Sequence, residues 1–231
     1  MTQDSRPQAV VFDLDGLMFN TEDLYDEVCE RLLRRRGRFL APELKRKMMG
    51  LTELSSLQIM IDDHQFTDTA AALLAESDAI FDRLLPGDVA PMPGLMALLD
   101  ALEAAGLGKA IATSSRRPFV TRVLDHFGLR ARFRFLLTAE DVTYAKPHPE
   151  IYQTAAARFE LAPQQILVLE DSENGCRAAT AAGAWTVAVP SHHTWDHEFS
   201  GVQLIADSLA DPRLYRALGL ASVHAEEPRT P

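Results

Sequence analysis

Cysteine is scarce: Cys29 and Cys176 are the only two in 231 residues. Two thiols cannot staple a chain of this length, which excludes a disulfide-built scaffold and points to free thiols in a reducing cytoplasm. Long apolar runs are missing as well. The first, Ala-Val-Val-Phe at 9–12, falls far short of the roughly 20 apolar residues that span a bilayer. The polar stretch before it, Met1 to Gln8, does not resemble a secretion signal. No membrane partner is therefore expected. Basic residues are the minority, 23 Lys and Arg against 33 Asp and Glu, for a net charge of −10. Such a surface repels a phosphate backbone, which argues against nucleic acid. It also repels small anions, so any phosphate site must build its own positive field from a metal, a lysine or helix N-termini. Apolar residues make up 47% of the chain, enough for one large domain or a core with a smaller insert.

Strand signals are absent between residues 20 and 90, which read as helical throughout. Thr21 is placed to cap a helix running to about Arg36, with Glu22 and Asp23 at its positive end. Further helices are expected from Pro42 to Met49, near 53–63 and over 67–85, the last ending at Pro86-Gly87. From residue 91 to 211 short β-rich runs alternate with amphipathic helices. Strands are predicted at 109–113, 133–137, 166–170 and 186–189, in addition to 9–12. This alternation predicts an α/β fold built on a parallel sheet. The boundaries follow: a core from residues 1–18 and 91–220, an all-helical cap at 19–90, and a disordered tail at 221–231.

Chemically loaded residues fall at predicted strand ends, where ligands bind in such sheets. Asp13 and Asp15 follow the first strand, and Glu170 and Asp171 follow Ile166-Leu-Val-Leu. Like charges crowded at one edge raise one another's pKa values. A divalent cation resolves the conflict, and all-oxygen ligands suit Mg2+. Alone, Asp13-Leu-Asp-Gly16 reads as a turn or cap, but a second acidic pair after another strand favours chemistry. Thr113-Ser114-Ser115, between a strand and a helix, can cradle an anion or simply cap the helix. Lys146, stiffened by Pro147 and Pro149, can pair with Asp13 or sit in solvent. His148, His192, His193 and His197 include a ligand-like spacing, His193-x3-His197. With no cysteine among them they read as loop residues or the rim of a site.

Taken together, these segments resemble the haloacid dehalogenase superfamily of phosphohydrolases, in the branch with a helical cap after the first strand. Phe12-Asp-Leu-Asp-Gly16, Ile111-Ala-Thr-Ser-Ser115, Lys146-Pro-His-Pro-Glu150 and Leu169-Glu-Asp-Ser-Glu-Asn-Gly175 are similar to its four motifs, in the family's order. The resemblance implies a Rossmann-like parallel-sheet core with an inserted helical cap. It implies Asp13 as nucleophile and Asp15 as general acid/base with its backbone carbonyl on Mg2+. Leu14, Thr113, Ser114, Ser115 and Lys146 would hold the phosphoryl group, and Asp171 the metal, assisted by Glu170. The substrate would be a small phosphomonoester, a sugar phosphate or a nucleotide-like ester, and the protein a cytoplasmic monomer.

Within that branch the chain departs from β-phosphoglucomutase, with Tyr25 where the mutase has histidine and Glu53 where it has arginine. An anionic Glu53 would repel a second phosphate. Sugar-phosphate and pseudouridine-monophosphate phosphatases are the better likeness, with a phosphomutase as alternative. Dehalogenases lack the second aspartate, and phosphonate hydrolases need a cap lysine that is absent after Gly50. A non-enzymatic phosphoacceptor or ligand-binding pseudoenzyme is the remaining alternative, though phosphoacceptor domains carry the acceptor after a later strand and have no helical insert. Tyr25, Met49, Leu51, Thr52 and Glu53 are the cap residues expected to face the substrate.

Overall fold

A computed structural model describes residues 6–48 and 52–221. Met49 and Leu51, and all but the first residue of the expected tail, lie outside the described residues. The chain opens with β1 (Ala9–Phe12) and continues through α1 (Thr21–Arg34), α2 (Pro42–Met48), α3 (Glu53–His64), α4 (Ala70–Asp88) and α5 (Leu95–Ala104). There follow β2 (Gly108–Ala112), α6 (Arg117–His126), β3 (Leu136–Leu137), α7 (Glu150–Phe159), β4 (Ile166–Glu170), α8 (Glu173–Ala182), β5 (Trp185–Ala188), β6 (Leu204–Ile205) and α9 (Pro212–Leu218).

The strands form one parallel six-stranded sheet in the order β3-β2-β1-β4-β5-β6. Parallel strands need both faces covered, and β1 is buried along its whole length. Val10 and Phe12 point into one apolar cluster; Ala9 and Val11 point into the other, against Ile151, Tyr152 and Ala155 of α7. The chain leaves β1 for β2 and β3 on one side, then crosses to β4 on the other. The switch point therefore lies between β1 and β4, where an open α/β sheet leaves a crevice at its carboxyl edge.

Helices α1 to α4 pack on one another, and their apolar faces (Leu24, Leu32, Leu57, Leu73, Ile80) join the first cluster. Two chain segments connect them to the sheet and are tied together. Ala90 N donates to Asn20 Oδ1 at 2.6 Å, and Asn20 Nδ2 donates to Asp88 O at 3.1 Å. Met92 N donates to Met18 O at 2.8 Å.

Three local expectations change. Helix α4 runs through Pro86 to Asp88. A proline in a last turn removes only one ladder bond, and the buried Leu84 and Leu85 hold that turn in place. β3 is confined to Leu136–Leu137 because residues 130–132 form a short 3-10 turn and Phe133 turns in to meet Phe12, with ring centroids 6.0 Å apart. Leu204–Ile205 adds an edge strand that no pattern announced.

One buried charge constrains the sheet. The Lys109 side chain on β2 is 4% exposed, and its ammonium donates to Glu103 Oε1 at 2.8 Å. Arg132 donates to the same carboxylate at 2.7 and 2.8 Å. The hydrogen bonds from Arg132, then those from Lys109, hold Glu103 down to about 2. Hydrogen bonds to charged groups contribute about 1.5–3 kcal/mol. Glu103 is 45% exposed, so solvent screening reduces that to about 1 kcal/mol. A depressed carboxylate stabilises the fold in full above its unfolded value and loses that contribution as pH falls through the folded value. Glu103→Gln is therefore expected to lower unfolding stability by about 1 kcal/mol at neutral pH. The gap from wild type should close in acid denaturation as pH drops from about 4.5 towards about 2. A gap that is constant with pH would contradict this assignment.

Candidate active site

The carboxyl ends of β1 and β4 set the site. Asp13 extends the ladder by one bond, its N–H donating to Leu169 O at 3.0 Å. Its side chain therefore enters the crevice beside those of Glu170, which ends β4, and Asp171, which follows it. All three are buried, and one oxygen from each lies within 4.8 Å of the others. Gly16 turns the chain at φ +74°, and a Cβ there would collide with the Asp171 carboxylate. That close approach is why glycine stands two residues after Asp13-Leu14.

Lys146 reaches the same point from the loop after β3. Its ammonium donates to Asp13 Oδ1 at 2.6 Å, to Glu170 Oε1 at 2.6 Å and to Ala112 O at 3.0 Å. Glu170 Oε1 also accepts from the Tyr152 hydroxyl at 2.6 Å, and Oε2 accepts from Ser172 Oγ at 3.0 Å. Helix α8 passes so close that a Cβ on Gly175 would overlap the Glu170 carboxylate. Burial pushes Asp13 up to about 8 against the pull of Lys146, with Glu170 and Asp15 adding to the rise. Burial, then the Glu170 and Asp13 charges, also raise Asp171. Burial works against the ammonium of Lys146, yet Asp13 and Glu170 outweigh it and keep the lysine charged.

The Asp15 carboxylate is not among the three whose oxygens meet within 4.8 Å, although it is near enough for its charge to raise Asp13. The Asp15 side chain accepts from Thr21 Oγ1 at 2.7 Å, Ser115 Oγ at 2.5 Å and Thr113 Oγ1 at 3.3 Å. Burial raises its pKa although these hydroxyls oppose the rise. Thr21 therefore serves Asp15 and does not cap α1, for which the expectation was wrong: it is the first helical residue, and its hydroxyl has a better acceptor across the crevice. Ser115 likewise turns to Asp15 and away from α6. Thr113 Oγ1 accepts from Ser115 N at 3.2 Å, which folds the backbone after β2 into a tight turn. Ser114 is exposed on that turn, and the Leu14 side chain is buried in the core, leaving only its backbone to the crevice.

From the helical side, Tyr25 stacks on Phe119 at 5.6 Å and lies close enough to Asp15, Glu53 and Ser115 for them to affect its phenol. Thr52 caps α3, accepting from Ser55 N at 3.3 Å. Glu53 is not an unpaired anion: Arg116 Nε donates to it at 2.7 Å and Arg116 Nη2 to Asp78 at 3.1 Å. The repulsion expected of Glu53 is thus offset locally. Glu22, pushed up to about 7 by burial and then by Asp15, also faces this crevice. Sequence reasoning missed Tyr152, Ser172, Arg116 and Glu22 as members of the site. Arg116 and Ser172 carried a signal, their places directly after Thr113-Ser114-Ser115 and after Glu170-Asp171 in the fourth motif. Of the histidines, His148 lies against Tyr144, His197 accepts from Glu173 N at 3.3 Å, and His192 and His193 meet Asp23.

The parallel sheet with its switch-point carboxylates matches a known group of proteins. Residues 10–189 fit the family model described as haloacid dehalogenase-like hydrolase, and the chain belongs to that family. It is 33% identical to the mitochondrial (DL)-glycerol-3-phosphatase 1 of Arabidopsis thaliana, across 78% of this chain and 63% of that protein. The chain thus spans less than two thirds of that relative. A phosphorylated carbohydrates phosphatase of Thermotoga maritima is 29% identical over 76% of this chain and 82% of its own. Among solved structures, a CbbY variant from Rhodobacter sphaeroides in complex with xylulose-(1,5)-bisphosphate superposes with a TM-score of 0.78. It shares 28% identity, covering 88% of this chain and 95% of that one.

The closeness of α8 to Glu170 is testable. Gly175→Ala is expected to cost about 1–3 kcal/mol in urea unfolding, the range for overpacking a filled interior. Gly87→Ala, with nothing within 4 Å of the added carbon, should cost nothing. Equal stability of the two variants would contradict the packing described.

Proposed function

We propose that the chain is a Mg2+-dependent phosphomonoester hydrolase that carries the phosphoryl group on Asp13. The observation that carries this reading is the Lys146 ammonium shared by Asp13 and Glu170 at the mouth of β1 and β4. The acidic trio fits the metal: three carboxylates, no nitrogen or sulfur donor, and oxygens close enough to share one hard cation. Asp13, Asp171 and the backbone carbonyl of Asp15 would hold it, with Glu170 assisting through the Lys146 contact, and when bound it would supply positive charge to the phosphoryl oxygens.

With Lys146 and the charge of a bound cation favouring its anion, a carboxylate oxygen of Asp13 attacks phosphorus, forming the Asp13 Oδ–P bond as the ester P–O bond breaks. Asp15 serves as general acid and gives a proton to the departing oxygen. Water then attacks phosphorus, Asp15 takes its proton, and Asp13 is released with phosphate. Lys146 offsets charge on Asp13 and on a phosphoryl oxygen. The Thr113 hydroxyl and the N–H groups of Leu14 and Ser114 hold the remaining oxygens.

Residues 19–90 act as a cap over a core of residues 1–18 and 91–220, moving on the segments 17–20 and 88–92. Closure brings Tyr25, Thr52 and Glu53 over the substrate and excludes water. Names of relatives support a small phosphorylated sugar or polyol as substrate. Among the described residues no helix is long and apolar enough to cross a membrane.

Release of phosphate from an aryl phosphate is expected to require Mg2+ and to stop on chelation. Asp13→Asn should lose about a thousandfold or more in kcat, the scale for loss of a nucleophile. Full activity in this variant would end the proposal. For the cap, Glu53→Ala is expected to change the ranking of sugar phosphates in kcat/KM while leaving the aryl phosphate little affected. An unchanged ranking would remove Glu53 from substrate recognition.

A further inference from the structure

One cluster outside the acidic trio converges without a task in this reaction. Asp23 projects from α1, and His192 and His193 lie in the loop between β5 and β6. Both imidazole Nε2 atoms approach the same oxygen, Asp23 Oδ1, at 3.0 Å from His192 and 2.8 Å from His193. Consecutive side chains of an extended segment point to opposite sides. Here a tight turn brings them to the same side. Thr194 N donates to Ser191 O at 3.1 Å, Ser191 N to Thr194 Oγ1 at 3.0 Å and His193 N to Ser191 Oγ at 3.3 Å. The two imidazoles end with centroids 4.0 Å apart. Exposed ion pairs contribute only about 0–1 kcal/mol, little reason to gather two rings on one oxygen.

We infer that Asp23, His192 and His193 form a second cation site, selective for a borderline ion such as Zn2+ and distinct from the acidic trio. The donor chemistry separates the two. Two imidazole nitrogens and one carboxylate oxygen suit zinc, whereas an all-carboxylate set suits magnesium. The geometry is close to what zinc requires. Ligands at about 2.0–2.2 Å in a tetrahedron lie about 3.3 Å from one another. The three ligand atoms all lie within 4.8 Å of one another, so small side-chain adjustments admit the ion. A cavity of about 210 Å³, lined in part by Gly16, Asn20, Glu22 and Ser191, adjoins them and leaves room for a water as fourth ligand. Because the ligands come from α1 and from the loop after β5, the bound ion fastens the helical insert to the sheet beside the crevice.

Zinc titration in the presence of excess Mg2+, against a chromophoric chelator, tests this site separately from catalysis. One equivalent should bind the wild type in the micromolar range or tighter, and Co2+ in its place should give tetrahedral visible absorption. His192→Ala, at a side chain 68% exposed and so harmless to folding, should bind about 100-fold more weakly, the upper end even for loss of a residue that only supports a ligand. Asp23→Asn should weaken zinc as well. Asp171→Asn, which alters the acidic trio, should bind zinc as the wild type does. Absence of a stoichiometric zinc site, or equal affinity in His192→Ala, would overturn the inference. Loss of the site in Asp171→Asn would assign the zinc to the acidic trio and overturn it too.

Discussion

The ammonium of Lys146 is the contact on which the rest of the site depends. Asp13 and Glu170 are buried side by side, and in a low-dielectric crevice two such carboxylates repel each other strongly. A lysine placed between them, itself buried, converts that repulsion into a compact charged triad. Each member would be costly alone, since an unpaired buried charge destabilises a fold by several kcal/mol. Neighbouring features serve the triad. Tyr152 and Ser172 satisfy the remaining lone pairs of Glu170, and Gly175 leaves space for its carboxylate.

The sheet topology explains why residues so far apart in sequence meet there. β1 and β4 are neighbours although the chain between them passes through the helical insert, β2 and β3. Their carboxyl ends bring Asp13 beside Glu170 and Asp171, while β2 delivers Thr113 and Ser115 to Asp15. The two halves of the site thus differ in kind. One is a charged triad with an additional carboxylate, Asp171; the other is a carboxyl group held by three hydroxyls. This division suits the two tasks proposed for the aspartates, attack on phosphorus by Asp13 and proton transfer by Asp15.

Much of this was legible in the chain. Ala9–Phe12 reads as a buried strand because its residues are apolar on both faces, and a parallel sheet follows from the strand–helix alternation. Lys146 was ambiguous by itself, since a lone loop lysine usually faces solvent, and only its company with the other motifs gave it a role. What escaped depended on pairing across distance. A threonine ahead of Glu22 and Asp23 looks like a helix cap, and nothing local shows that Asp15 competes for its hydroxyl. Tyr152 reads as one more apolar position on an amphipathic helix, because its acceptor lies on a different element. The Arg116–Glu53 pair joins α3 to the start of α6, and its charge balance cannot be read from either segment alone. Helix α4 passes Pro86 because burial of its last turn outweighs one missing hydrogen bond.

The account predicts that Asp13 itself becomes phosphorylated. Rapid acid quenching during turnover of a phosphomonoester, followed by peptide mass spectrometry, observes this directly. The peptide containing Asp13 should carry the mass of one phosphoryl group while substrate is being consumed, and lose it when substrate is exhausted. Turnover with no adduct on that peptide, or with the adduct on another residue, would contradict the assignment of Asp13 as the group that attacks phosphorus.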